Sequence, residues 1–202
     1  MFNEQSKAND VVASNVIQGG LAEHAAGAKG YYLVECHDAS GNLKWEESFP
    51  NLVNEGGKEL MLNTLLRTSG TYTTVGPYLG LISGSSPTFL AADTMSSHSG
   101  WTEFTNYTVG GSAVRGTAVF GSASSAGSSP SNVTTSAASA ITYTITGGGG
   151  TVGGCFLVTG TGAVSTQGSS AGVLYSAGNF TTAKVTTAGD TVSVTYSTTA
   201  TS

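Results

Sequence analysis

The sequence predicts an all-β protein with one short helix: an antiparallel, jelly-roll-like β-sandwich with an extended N-terminal arm. Three observations point there. Eight to ten short runs alternate apolar and polar residues with the period of two that half-buries a strand. Stretches rich in Gly and Ser separate those runs, as turns between antiparallel strands do. Only one stretch places its apolar residues at helical spacing. At 202 residues the chain is long enough to bury such a core without disulfides or metals. A jelly roll of eight strands closes that strand count into two packed sheets.

Residues 1–29 carry Val11, Val12, Val16, Ile17 and Leu21 among Asn, Ser, Ala and Gly, with no regular period. They predict an arm that lies on another surface, with those five residues as its partner-binding positions. The β-sandwich body is expected over 30–202. Its first feature is a hairpin. Tyr32, Val34 and Cys36 alternate with Leu33, Glu35 and His37, "DASGN" supplies turn residues, and Leu43, Trp45 and Phe49 mark the returning strand that Pro50 ends.

"NLVNEGGKELMLNTLLR" (51–67) predicts the helix, near 54–67. Asn54 is placed to cap it, and Leu60/Thr64, Met61/Leu65 and Leu62/Leu66 fall at i, i+4 spacing. Gly56 and Gly57 weaken its first turn by up to about 1 kcal/mol each, so the helix is expected to plug the core and depend on packing there. "YLGLIS" (78–83) reads as a strand, followed by a long excursion to a short strand near 101–107. Further strands are expected at 114–121, 140–146, 154–160, 172–177, 183–187 and 191–199.

Gly147–Gly150 joins two of them. Four glycines have the permissiveness of a phosphate cradle. Thr151 and Val152 follow, however, rather than Lys-Ser or Lys-Thr, and no helix-forming segment lends a dipole. A connection between strands is the expectation.

Charge is scarce and uneven. Charged residues make up 9% of the chain, against roughly 25% in ordinary soluble domains, while Ser and Thr number 27 and 29. Of 19 ionisable acids and bases, 16 lie at or before Glu103, leaving Arg115, Lys184 and Asp190 for the remaining half. Charged side chains keep sheet edges from pairing with other sheets. A nearly uncharged β-rich half is therefore expected to be covered by partners. A net charge of -5 with no Lys/Arg patch excludes nucleic acid as an expected partner. No apolar run approaches the ~20 residues of a membrane span, so no membrane partner is expected. "MFNEQSKANDVVASNV" lacks the basic start and apolar core of a secretory signal, which predicts a protein made and used without export.

Cys36 and Cys155 sit in apolar strand-like stretches and predict two buried free thiols. His24, His37 and His98 share no ligand spacing, so neither metal nor cofactor is expected. His98, flanked by Ser97, Ser99 and Glu103, can be drawn as a nucleophile, base and orienting carboxylate. With 27 serines such neighbours arise by chance, and no Gly-x-Ser-x-Gly elbow is present. No catalytic residue is therefore expected. Glu46 and Glu47 are adjacent, so a strand points them to opposite faces. Trp45, Trp101, Tyr107, Tyr31 and Tyr32 are either a sugar-stacking platform or core rings, with core packing the favoured reading.

Three stretches together resemble a known family: "WEESFPNLVNEGGKELMLNTLL", "YLGLISGSSPTFLAADTMSSHSGWTEFTNYT" and "TVGGCFLVTGTGAVSTQGSSAGVLYSAGNFTTAKVTTAGDTVSVTYS". Over residues 31–199 the chain is similar to virion-associated structural proteins of tailed bacteriophages. The resemblance implies a non-catalytic capsid cement or decoration protein, assembled in the host cytoplasm and seated on the capsid exterior. Its partners would be the major capsid protein and one or two further copies in a dimer or trimer. The alternative is a tail or head fibre module binding a host-surface glycan. The Gly/Ser/Ala material at 121–140 departs from the family and is expected as a surface loop or an extra contact.

Overall fold

A computed structural model describes residues 27–67, 75–125 and 133–201. In chain order the first elements are β1 (Gly27–His37), β2 (Leu43–Pro50), β3 (Leu52–Val53), α1 (Glu55–Leu66), β4 (Tyr78–Ser83), β5 (Thr102–Phe104) and β6 (Tyr107–Thr108). The short β7 (Gly116–Thr117), β8 (Ser124–Ser125) and β9 (Val133–Ser136) follow, and then β10 (Ile141–Ile145), β11 (Gly150–Thr159), β12 (Val173–Thr186) and β13 (Thr191–Thr201).

They form a β-sandwich. One sheet has seven strands in the order β2-β1-β13-β10-β6, with β9 also on β13 and β8 on β9. The other has six, β3-β12-β11-β4-β5, with β7 also on β4. Each pairing is antiparallel. β1 pairs with β13 and β3 with β12, the nesting of early strands against late ones seen in jelly rolls. Inside that nest β11 and β12 are consecutive and pair directly.

The seven-stranded sheet shows the expected alternation because one face meets the core and the other meets solvent. Tyr32, Val34 and Cys36 on β1, Val192, Val194 and Tyr196 on β13, and Ile141, Tyr143 and Ile145 on β10 all point inward. They pack on Leu79, Leu81, Val152, Cys155, Leu157 and Phe180 of the second sheet. That sheet is buried on both faces. Ile82, Phe156, Val158 and Leu174 lie on its far side under Met95, Trp101 and Ala163 from two long connections. Burial on both sides explains why "YLGLIS" and "GCFLVT" read as continuous apolar runs.

Some elements differ from expectation. The strands expected at 172–177 and 183–187 are one 14-residue strand, β12, which passes straight through Gly178 and Asn179. A side chain at Gly178 would press on Pro50 O at 2.9 Å. The strand expected at 114–121 is reduced to β7, because Val114 bridges to Thr166 and Phe120 to Ala137. The 121–140 region adds β8 and β9 to the edge of the seven-stranded sheet. β1 begins at Gly27, three residues before the expected start of the body. Val11, Val12, Val16, Ile17 and Leu21 lie outside the described residues.

The helix is placed differently from a core plug. Within α1 only Gly57 is buried, and Leu62, Leu65 and Leu66 are 60%, 77% and 74% exposed. Asn54 stands at the N-cap position without a side-chain cap bond. Its buried amide instead donates to Leu90 O at 3.0 Å, fastening the 84–101 connection beside the helix. Gly57 is where α1 meets the sheet. A Cβ there would sit 2.6 Å from Tyr175 O and 3.0 Å from Tyr175 Cα, both backbone atoms of β12. Gly57→Ala is therefore expected to lower thermal stability, even though Ala is the better helix former by about 1 kcal/mol. A raised melting temperature would show that α1 does not rest on β12 through this glycine.

Candidate functional site

The chemistry-bearing side chains named from sequence converge at one end of the six-stranded sheet. The edge strand β5 carries Glu103, and the chain after β6 brings in Arg115. Around them Met95, His98, Trp101 and Ser169 help to line a cleft of about 360 Å³. His98 stacks on Trp101 with ring centroids 3.8 Å apart, and its Nδ1 lies 3.0 Å from Trp101 O. The Trp101 ring continues inward to Phe156 at 5.1 Å.

Glu103 is committed elsewhere than to His98. Arg115 Nε donates to Glu103 Oε1 at 2.9 Å and Nη2 donates to Oε2 at 2.7 Å, a bidentate pair. Gly168 N donates to the same Oε2 at 2.7 Å, and Arg115 Nη2 also donates to Ser169 O at 2.7 Å. The carboxylate a triad would need is thus engaged by a guanidinium and a backbone amide. Ser97, which would be the adjacent nucleophile, has its amide held by Thr94 Oγ1. The arrangement ties β5 to the 164–169 connection; it does not align Ser, His and Glu for proton transfer.

The same pattern extends to every ionised side chain beyond Glu103. Arg115 pairs with Glu103, Lys184 with Glu47 at 2.7 Å, and Asp190 with Lys44 at 2.5 Å. Each partner comes from the charged first half of the sequence. Lys184 also lies over the Trp45 and Phe180 rings, 5.8 Å from each centroid. No side-chain charge of the second half is left without a counter-ion.

Two of these pairs bear on pH. Burial alone would raise the Asp190 carboxyl, but hydrogen bonds from Lys44 and the Thr187 amide outweigh it and hold the group below its ordinary value. Burial likewise works against Glu47, and bonds from Lys184 and the Thr181 amide lower it. A carboxyl lowered in the folded state contributes stability that is present above its unfolded pKa of about 4 and lost as pH falls through the folded value. The melting temperature is expected to hold between about pH 5 and 7 and to fall below about pH 4. Asp190→Asn is expected to flatten part of that fall. An unchanged acid limb in the variant would remove Asp190 from the account.

The outer face of the seven-stranded sheet is the other large feature. Opposite the inward Val192, Val194 and Tyr196, β13 turns out Thr191, Ser193, Thr195, Ser197 and Thr199; opposite Ile141, Tyr143 and Ile145, β10 turns out Thr142 and Thr144. All seven outward residues are hydroxylic and none is charged. Ser136 and Ser197 hydroxyls meet at 2.7 Å, and Thr142 and Ser193 at 3.3 Å. Next to them on β1 stand the exposed Tyr31 and Leu33, in register with Ser197 and Thr195.

No family model, curated protein or solved structure matches this chain.

The remaining sequence-predicted residues fall into place individually. The five rings do not share a platform: Tyr32, Trp101 and Tyr107 are buried, Trp45 packs edge-on against Phe180 at 5.4 Å, and Tyr31 is exposed alone. Cys36 and Cys155 are free and buried. Burial pushes the Cys36 thiol up to about 11, with Asp190 adding to the effect, and burial raises Cys155 further still. Gly147–Gly150 is the corner at which the chain leaves β10 in one sheet and enters β11 in the other. Among the described residues no three His, Cys, Asp or Glu side chains converge in a way that could hold a metal, and no helix is long and apolar enough to cross a membrane. The ion pairs are what sequence reading missed. Lys44 and Asp190 lie 146 positions apart, and no local pattern links them.

Proposed function

We propose that the protein is a structural component of a bacteriophage virion, a capsid cement or decoration protein that stabilises the head shell by bridging capsid subunits. One observation carries this reading: the second half of the chain has each of its three charges neutralised within the molecule and turns a charge-free hydroxyl face outward on β10 and β13. Free charge normally keeps a β-protein apart from its neighbours. A surface without it suits a molecule whose faces are occupied in use. The resemblance of residues 31–199 to virion-associated proteins supplies the setting.

In that setting the work is done by contact area and repetition. An interface of the usual 1,200–2,000 Å², repeated over many copies, gives a shell avidity without a reacting centre. The arm, through Val11, Val12, Val16, Ile17 and Leu21, is laid on the capsid or on a sister subunit of a dimer or trimer.

The test is copy number together with truncation. Quantitative gel densitometry of purified particles is expected to show on the order of hundreds of copies per head, as multivalent shell binding requires. Because β1 begins at Gly27, a chain lacking residues 1–26 is expected to keep a folded β-body and lose attachment. Full occupancy by the truncated protein would refute the role of the arm. Only a few copies per particle would refute the cement reading and favour the glycan-binding fibre module.

A further inference from the structure

Two hollows adjoin at the start of β5, the edge strand that carries Glu103. One, of about 330 Å³, is walled by Ser83, Ser85, Ser86 and Ser99. The other is the cleft of about 360 Å³ already described, to which Ser96, Thr105, Ser169 and Ser170 add further hydroxyls. Trp101 and Thr102 line both, so the hollows meet along the exposed Thr102 as two halves of one groove. Each half lies within the size range of small-molecule sites, roughly 300–1,000 Å³.

The walls are fixed by the chain itself. Asn54 holds the 84–101 connection through Leu90 O at 3.0 Å, and the Thr88 amide closes it on Gly100 O at 3.0 Å. On the opposite side Glu103 and Arg115 pin Gly168 and Ser169. Walls ordered in advance spare a ligand the cost of ordering them.

The lining selects a class of ligand. The first hollow has no ionised side chain, and the acid and base of the second, Glu103 and Arg115, neutralise one another. A charged ligand would shed its hydration there without gaining a counter-ion. Hydroxyls each donate and accept. His98 Nδ1 faces Trp101 O, which can only accept, so Nδ1 carries the hydrogen and the neutral ring offers Nε2 as an acceptor. Trp101 Nε1 is a buried donor with no partner among the described residues, a rare condition in folded chains. Met95 and the His98 ring, stacked over the indole, add apolar surface among the hydroxyls. Hydroxyl and C–H surface mixed without charge is what a sugar ring presents. A peptide strand would seek the backbone of a sheet edge instead, and β5 offers three residues.

We propose that this groove binds a neutral oligosaccharide of about two or three sugar rings, laid across Thr102 between the two hollows. The site is built wholly from the β-body, and copy number on a particle does not bear on it.

Tryptophan fluorescence of the otherwise full-length Trp45→Phe chain, in which Trp101 is the single indole, tests it. The probes are neutral trisaccharides of glucose, galactose, mannose and N-acetylglucosamine, with trigalacturonic acid as the charged comparison and an uncharged Gly-Ser-Thr-Gly peptide as the polypeptide one. At least one neutral trisaccharide is expected to shift the emission saturably, and the charged sugar and the peptide to leave it unchanged. Thr102→Arg, an exposed substitution that should spare the fold, is expected to weaken that binding at least about tenfold by blocking the junction. Ser40→Arg, in the β1–β2 turn and lining neither hollow, is expected to leave it unchanged. No saturable response to any neutral trisaccharide would overturn the proposal, as would binding that survives Thr102→Arg with an unaltered melting transition. Equal binding of trigalacturonic acid would overturn the neutral class, and a response to the peptide alone would replace the sugar with a polypeptide partner.

Discussion

Arg115→Met is expected to leave a protein about 3–5 kcal/mol less stable in denaturant unfolding than its parent, the usual cost of removing one partner from a buried ion pair. The Arg115 side chain has no exposed surface, and Glu103 retains 8%. Removing the guanidinium strands the Glu103 carboxylate with the Gly168 amide as its only remaining strong donor. It also releases Ser169 O, so the connection over the far face of the six-stranded sheet loses its tie. Arg115→Met/Glu103→Met is expected to recover most of the loss, since an apolar pair of similar volume has no buried charge to desolvate. A loss under about 1 kcal/mol for the single variant would mean that water reaches the pair and the site is wetter than its burial implies.

The second large effect lies at the glycine corner. Gly149 has φ of +74°, a left-handed conformation that costs a residue with a Cβ about 1–2 kcal/mol. A Cβ there would also overlap Thr186 O, and Asn106 Nδ2 holds the Gly149 carbonyl at 2.9 Å, which blocks the simplest relaxation. Gly149→Ala is expected to destabilise by at least about 2 kcal/mol, summing the backbone penalty and the overpacking. Its neighbour is the control. A Cβ at Gly148 meets nothing within 4 Å, so Gly148→Ala is expected to be neutral or to stabilise by up to about 1 kcal/mol through the unfolded chain. Equal effects at both positions would show the corner to be loose.

Legibility in the sequence followed solvent exposure. The strands of the seven-stranded sheet were readable because water on one face forces strict alternation, as at Ile141, Tyr143 and Ile145. The long β12 shows in the sequence only as two runs, 172–177 and 183–187; in the fold Gly178 between them is a close approach to Pro50. The helix was recognised, but its orientation was not. Leucine or methionine occupies most sectors of its circumference, so spacing alone does not say which side meets the sheet. At the candidate site His98 and Glu103 were visible as neighbours, while the partner that sets Glu103's role, Arg115, comes from beyond β6. The pairs made by Glu47 and Lys44 bridge opposite ends of the chain, and only the folded topology brings them together.

The neutralised second half also makes the molecule a convenient instrument. A single lysine introduced at Thr144 or Thr195 would place a charge on strands whose outward residues carry none. Bathed in solvent it should scarcely perturb folding, as surface replacements generally do not; pressed against an apolar neighbour it would have to shed its hydration at considerable cost. Walking such a substitution along β10 and β13 would therefore trace, residue by residue, the footprint of whatever settles there.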